Sequence, residues 1–289
     1  MIRVFHSLSF TALLLASLSG FAQQSNTRGS GTTTDSSMIK LLHGKMDTTM
    51  PHKILLIPFE PKMFMSEIGK DVNAKTNLSY KAITDEFRKE LDLAMYNALR
   101  MSCVTVTLLD GKHSSDTTMG YIYSSTTYGY EPVPGTAIDA GGSTEYDPKH
   151  QKDHYIDKGQ LSVPVDYTKR FMNTTVQNPH LLSQLSGIYN TDTYVFINEL
   201  DIKNVDNATE NLSEDTYRRQ VTVHYSIIDN TGHYVSKGVA ITYFPYREND
   251  PKEIGDKYFT VIARTILKNY IQGLNNDKMQ ADKKKKPGK

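Results

Sequence analysis

The residues best suited to chemistry crowd into one stretch: Asp147, His150, Asp153, His154 and Asp157. His150 and His154 stand four apart, which puts both imidazoles on one face if the stretch is helical. Imidazoles and carboxylates ligate zinc, so the chemistry on offer is metal-assisted hydrolysis, with His150, His154, Asp147 and Asp153 as candidate ligands. The surroundings favour an ordinary hydrated surface instead. Lys149, Lys152 and Lys158 are interleaved, no Glu follows the first His as in zincins, and the calcium-loop spacing with its Gly is missing.

Nucleophilic and phosphate chemistry find less support. The chain has no Gly-x-Ser-x-Gly elbow and no Gly-x-x-x-x-Gly-Lys-Ser/Thr loop, and Gly141-Gly142 reads as a loop. His224 lies between Thr222 and Ser226 on the polar side of an alternating run, which predicts a solvent-facing ring without a catalytic partner. Motif content therefore points away from an enzyme, and no cofactor is expected. Tyr121, Tyr123, Tyr128 and Tyr130 stand among Ser, Thr and Gly. Tyr offers a rigid apolar face with a polar tip, so these four are the candidate partner-binding residues. The plain alternative is that the rings pin a long loop to its own domain. A glycan-binding module is a further alternative, weakened by the absence of Trp. Alternation around Met119–Tyr123 is shorter than the roughly 9–11 residues of a membrane β-strand, so a pore is not expected.

The elements that must carry these residues follow from periodicity. Lys53-Ile54-Leu55-Leu56-Ile57-Pro58-Phe59 predicts a buried strand stopped by Pro. From Leu78 to Arg100, Ile83, Phe87, Leu91, Ala94, Met95 and Ala98 recur at helical spacing, while Asp85, Glu86, Lys89, Glu90 and Asp92 fill much of the remainder. Cys103–Leu109 predicts a second strand, closed by Asp110-Gly111. Residues from about 112 to 190 break the pattern, apart from a short helix over Leu181–Ile188. Tyr194–Ile197 begins a third strand. Arg219–Ile228 alternates cleanly, Asp229-Asn230-Thr231-Gly232 is hairpin chemistry, and Tyr234–Tyr243 returns. Asp256–Leu274 is the closing helix. The fold class expected is α+β, one mixed sheet of about five strands with helices packed on it, in the order β-α-β, long insertion, β-β-β-α.

The ends speak about compartment. Met1-Ile2-Arg3, an apolar run from Leu8 to Leu18 and Gly20-Phe21-Ala22 before Gln23 predict a secretory signal over residues 1–22. That run is short of the about 20 residues a transmembrane helix needs. Residues 23–49 read as a flexible linker, 50–276 as a single folded domain carrying the irregular insertion, and 277–289 as a disordered basic tail containing Lys283-Lys284-Lys285-Lys286. With 33 Lys+Arg against 32 Asp+Glu, the chain has no general attraction for nucleic acid, although the tail allows peripheral contact with a membrane or cell-wall polymer. Cys103 is the single cysteine, so an intrachain disulfide is excluded and a buried, inert thiol is expected. No Cys stands at the end of the signal region, so a lipoprotein anchor is not expected.

Ile57-Pro58-Phe59 at the end of the first strand, the helix and strand after it, Tyr194-Val195-Phe196-Ile197, and the Asp229-Asn230-Thr231-Gly232 hairpin before a closing helix together resemble an envelope group. Its members include the curli-secretion channel subunit CsgG, the penicillin-binding-protein activator LpoB and the N-terminal domain of TolB. The resemblance covers roughly residues 50–110 and 190–274. It implies an exported, non-enzymatic assembly, scaffold or regulatory module, in the periplasm or at the periplasmic face of the outer membrane. Its partner would be an envelope protein or a second copy. The chain departs from the group in lacking the lipoprotein Cys and in residues 112–190, and the resemblance assigns no functional residue.

Overall fold

The computed structural model describes residues 52–110, 116–132, 155–157, 160–162, 170–205 and 218–285. In chain order, β1 (Lys53–Ile57) is followed by β2 (Phe64–Ser66), α1 (Gly69–Thr76), α2 (Tyr80–Leu99) and β3 (Val104–Thr107). Next come α3 (Asp116–Ser124), β4 (Thr126–Pro132), β5 (Tyr155–Asp157), β6 (Gln160–Ser162), β7 (Arg170–Val176) and α4 (Leu181–Tyr189). Then β8 (Thr193–Val205), β9 (Arg218–Asp229) and β10 (Tyr234–Pro245) lead into α5 (Pro251–Ile254), a π-helical turn at Gly255–Phe259, and α6 (Thr260–Lys285).

The fold is α+β around a mixed six-stranded sheet of order β10-β9-β8-β1-β3, with β2 also paired to β8. The sixth strand is the difference from the roughly five expected. Because β8 is 13 residues long, β1 covers its first part, from Ile54↔Thr193 to Ile57↔Phe196. The short β2 takes the same side further along, from Phe64↔Leu200 to Ser66↔Ile202. Three residues are too few to show a period in the sequence.

Both faces of the sheet are covered, which is why Ile54, Leu55, Leu56 and Ile57 are all buried. On one face lie α2 and α6. Ser79 caps α2, its side chain accepting from the Ala82 N–H at 3.2 Å, and Ile83, Phe87, Leu91 and Met95 of its apolar stripe are buried. Each such side chain supplies about 1.5–3 kcal/mol. Phe64, Phe87 and Phe259 pack in series as tilted rings, at separations of 5.5 and 6.0 Å, and tie β2, α2 and the π turn together. On the other face, Leu55, Ile57, Tyr194 and Phe196 form a second core with Met119 and Ile122 of α3 and with Leu181, Leu182 and Leu185 of α4.

That second core corrects the expectation of an irregular insertion. Its described parts are two helices and an antiparallel ribbon, with β4 pairing β7 from Thr126↔Val176 to Pro132↔Arg170. The Thr- and Tyr-rich run around Met119 becomes helical because Met119 and Ile122, three apart, then share the face that meets the sheet. A second correction concerns the C-terminus, since α6 continues to Lys285, beyond 276. Lys278, Met279, Gln280 and Ala281 are good helix formers, and Asp277 reaches His233 at 3.3 Å. The hairpin between β9 and β10 matches its sequence signal. Asp229 Oδ1 accepts from the Thr231 and His233 N–H groups at 2.8 and 3.0 Å, and Gly232 sits at φ +86°. No helix among the described residues is long and apolar enough to cross a membrane.

Candidate functional site

The residues expected to do chemistry fall into different places. Asp147, His150, Asp153 and His154 lie outside the described residues. Among the described residues no group of three or more His, Cys, Asp or Glu side chains is arranged to hold a metal ion. Cys103 is buried, and burial pushes its thiol up to about 12.

The four tyrosines divide by environment. The Tyr123 hydroxyl donates to Pro58 O at 2.8 Å and accepts from Arg88 at 2.7 Å, while Arg88 Nε also donates to Phe59 O. Tyr123 thus joins α3 to the end of β1 and to α2. The Tyr121 hydroxyl donates to Gln184 at 2.5 Å and accepts from Asn178 at 2.7 Å, while its ring stays 39% exposed. Tyr128 is half-buried, which pushes its phenol up to about 12. Tyr130, 41% exposed, donates to Glu199 Oε2 at 2.9 Å.

Glu199 belongs to a buried polar interlock that sequence reasoning did not find. A one-residue bulge between Ile197 and Glu199 leaves Asn198 without a cross-strand partner, so Asn198 and Glu199 both turn toward the ribbon. Asn198 donates to Met172 O at 2.6 Å and to Ser226 Oγ at 2.8 Å, and it accepts from Thr174 Oγ1 at 2.5 Å. Ser226 in turn donates to Asn173 Oδ1 at 2.7 Å. The polar side chains of β9 are therefore buried under the backbone edge of β7, whose Thr174 N–H also donates to Ser226 Oγ at 3.2 Å. This overturns the reading of His224 as solvent-facing: it is 4% exposed beneath the ribbon.

The His224 Nδ1 accepts the Met172 N–H at 2.8 Å, so the hydrogen-bond pattern assigns the ring proton to Nε2, which faces Glu199 Oε1 at 3.6 Å. Burial holds the imidazole down to about 4 and raises the Glu199 carboxyl. A neutral ring with its one lone pair already used has no site left for abstracting a proton. The cleft it lines with Tyr130, Asp201 and Lys203 holds about 100 Å³, room for about three waters. These groups lock the ribbon to the sheet.

A larger groove of about 360 Å³ runs along the other end of the sheet, between α2 and the edge strand β3. Leu93 and Tyr96 of α2 and Thr105, Thr107 and Leu109 of the β3 segment line it. Val104 and Leu108 donate to His52 O and Leu56 O, so alternation turns the N–H and C=O groups of Thr105 and Thr107 outward. No strand among the described residues pairs with that edge. Leu93 in the groove wall is 46% exposed, and Val104 at the start of β3 and Met101 in the turn before it are 50% and 74% exposed. Asp92, only 6% exposed, forms part of the lining, with the Thr107 hydroxyl 2.7 Å from both carboxylate oxygens. Burial pushes this carboxyl up to about 7.

No protein-family model matches the chain, and no curated protein matches it significantly.

Proposed function

We propose that this chain is an exported, non-enzymatic protein of the cell envelope whose sheet-and-helix domain docks another envelope protein, as an assembly, scaffold or regulatory module. The observation that carries this reading is the α2–β3 edge. An open backbone edge flanked by exposed Leu93, Met101 and Val104 invites pairing, and soluble proteins ordinarily blunt such an edge. A partner that covers it resolves the conflict. The basic start, apolar run and small residues of the first 22 positions support export to the periplasm or the periplasmic face of the outer membrane. The resemblance to the CsgG, LpoB and TolB group supports the same setting. Tyr121 and Tyr130, whose rings keep exposed edges, are secondary contact candidates.

The test is recovery of cross-linked complexes from whole envelopes with a tagged full-length chain. The wild type and Ile188→Lys, altered at a 68% exposed position on α4, should recover the same envelope protein, and Leu93→Lys with Met101→Lys should lose it. Equal recovery by the doubly altered edge would overturn the docking role.

A further inference from the structure

The groove has a chemical asymmetry. Asp92 is a buried carboxylate with capacity for several donors, and among the described residues the Thr107 hydroxyl is its hydrogen-bond donor. Of the neighbouring cations of α2, Arg88 hydrogen-bonds Phe59 O and Tyr123, and Lys89, in the groove wall, lies 3.6 Å from Glu86, so each acts on Asp92 through its charge and not through a hydrogen bond. The groove therefore presents an under-supplied negative charge at the end of an apolar channel, beside outward-facing backbone groups at Thr105 and Thr107.

We propose that the α2–β3 groove takes an extended peptide segment of the partner, which adds to β3 as a further strand and seats a Lys or Arg side chain against Asp92. This rests on the docking reading above and names the chemistry of its partner. In an added strand, alternate side chains fall on the α2 side of the sheet, where Leu93 and Tyr96 offer apolar contact and Asp92 a counter-charge. A free alkylamine satisfies the carboxylate but makes no use of the backbone groups at Thr105 and Thr107. A second copy pairing edge to edge brings Val104-Thr105-Val106-Thr107, which holds no cation for Asp92. The extended basic peptide uses all three features.

A phage-displayed random octapeptide library panned on the full-length protein tests this. Enriched peptides should carry Lys or Arg flanked by β-branched residues. The most enriched, made synthetically, should bind at least about tenfold more weakly to Asp92→Asn, as expected for a lost charge-assisted hydrogen bond. Its binding should slow hydrogen exchange at the Thr105 and Thr107 amides. The charged groups around Asp92 are Arg88 and Lys89 on α2 and Asp110 after β3. With that carboxyl at about 7, affinity for the wild type should rise between pH 6 and pH 8, and Asp92→Asn should show no such rise. Asn keeps an acceptor for Thr107. Should it fail to fold, Leu93→Lys, at an exposed position, should weaken the same peptide by placing a cation at the groove mouth.

Enriched peptides without a basic residue, unchanged affinity in Asp92→Asn, protection at other amides, or no enrichment at all would overturn the inference. If edge variants still abolish envelope capture in those cases, the docking reading survives alone. If capture is also insensitive to the edge, both fall.

Discussion

His224 and Asp92 titrate against the fold in opposite directions. His224 is held at about 4 when folded, below the ordinary 6.5, so the unfolded chain binds the extra proton between those values. Stability from this ring is complete above pH 6.5 and is lost as pH falls toward 4, by about 3 kcal/mol. Replacing it by Asn, whose Oδ1 can accept the Met172 N–H, should flatten urea-unfolding stability across that window relative to wild type. Asp92 does the reverse. Its carboxyl is raised to about 7, so the folded state binds the extra proton and stability falls as pH rises from about 4 toward 7. Asp92→Asn should therefore raise the melting temperature at pH 8 and leave it nearly unchanged at pH 4, as expected of a site that gives up stability for binding. Arg219 is a different case, wholly buried, donating to Asn249 Oδ1 at 2.5 Å and Glu248 O at 3.1 Å, ion-paired with Asp71, and stacked on Tyr246 at 4.4 Å. Arg219→Ala removes a wholly buried side chain from partners that themselves reach solvent, Asp71 and Tyr246 among them, and should cost about 1–3 kcal/mol in the same unfolding assay. None of these environments was legible in the sequence. Alternation placed His224 on a polar face, and polar side chains of β9 packing under the backbone edge of β7 leave no hydrophobic signal.

At the scale of elements, legibility followed length and period. β1 is an unbroken apolar run, α2, the β9–β10 hairpin and the start of α6 carry several turns or alternations of apolar residues, and the structure places all four where the sequence predicts. β2, α3 and the β4–β7 ribbon were missed because they are short or polar and fold only against the rest. Helix α6 shows how close that packing is. A Cβ on Gly273 would come within 2.0 Å of Val235 O in β10, a backbone atom that cannot swing aside. Gly187 in α4 has nothing within 4 Å of the same position. Gly273→Ala should therefore destabilise by about 1–3 kcal/mol, through overpacking. Gly187→Ala should stabilise by about 0.5–1 kcal/mol, through helix propensity alone. Guanidinium unfolding of the two variants checks both signs.

For the whole molecule, the insertion is the third layer of the fold. Met119, Ile122, Leu181 and Leu185 complete the core over β1 and β8, and the Asn198–Ser226 interlock clamps the ribbon beside it. Deleting residues 112–190 should abolish the cooperative thermal transition in near-ultraviolet circular dichroism, since it strips one face of the sheet. With that face closed by its own chain and the other by α2 and α6, β3 and the groove beside it are the surface we assign to a partner. The most direct measurement of that assignment is a photo-activated cross-linking residue introduced at position 93 in cells exporting the full-length protein, with position 188 as the comparison. The account predicts strong adducts to one envelope protein from position 93, little from position 188, and an adduct segment that is extended and basic. Equal labelling from both positions, or no adduct from position 93, would contradict it.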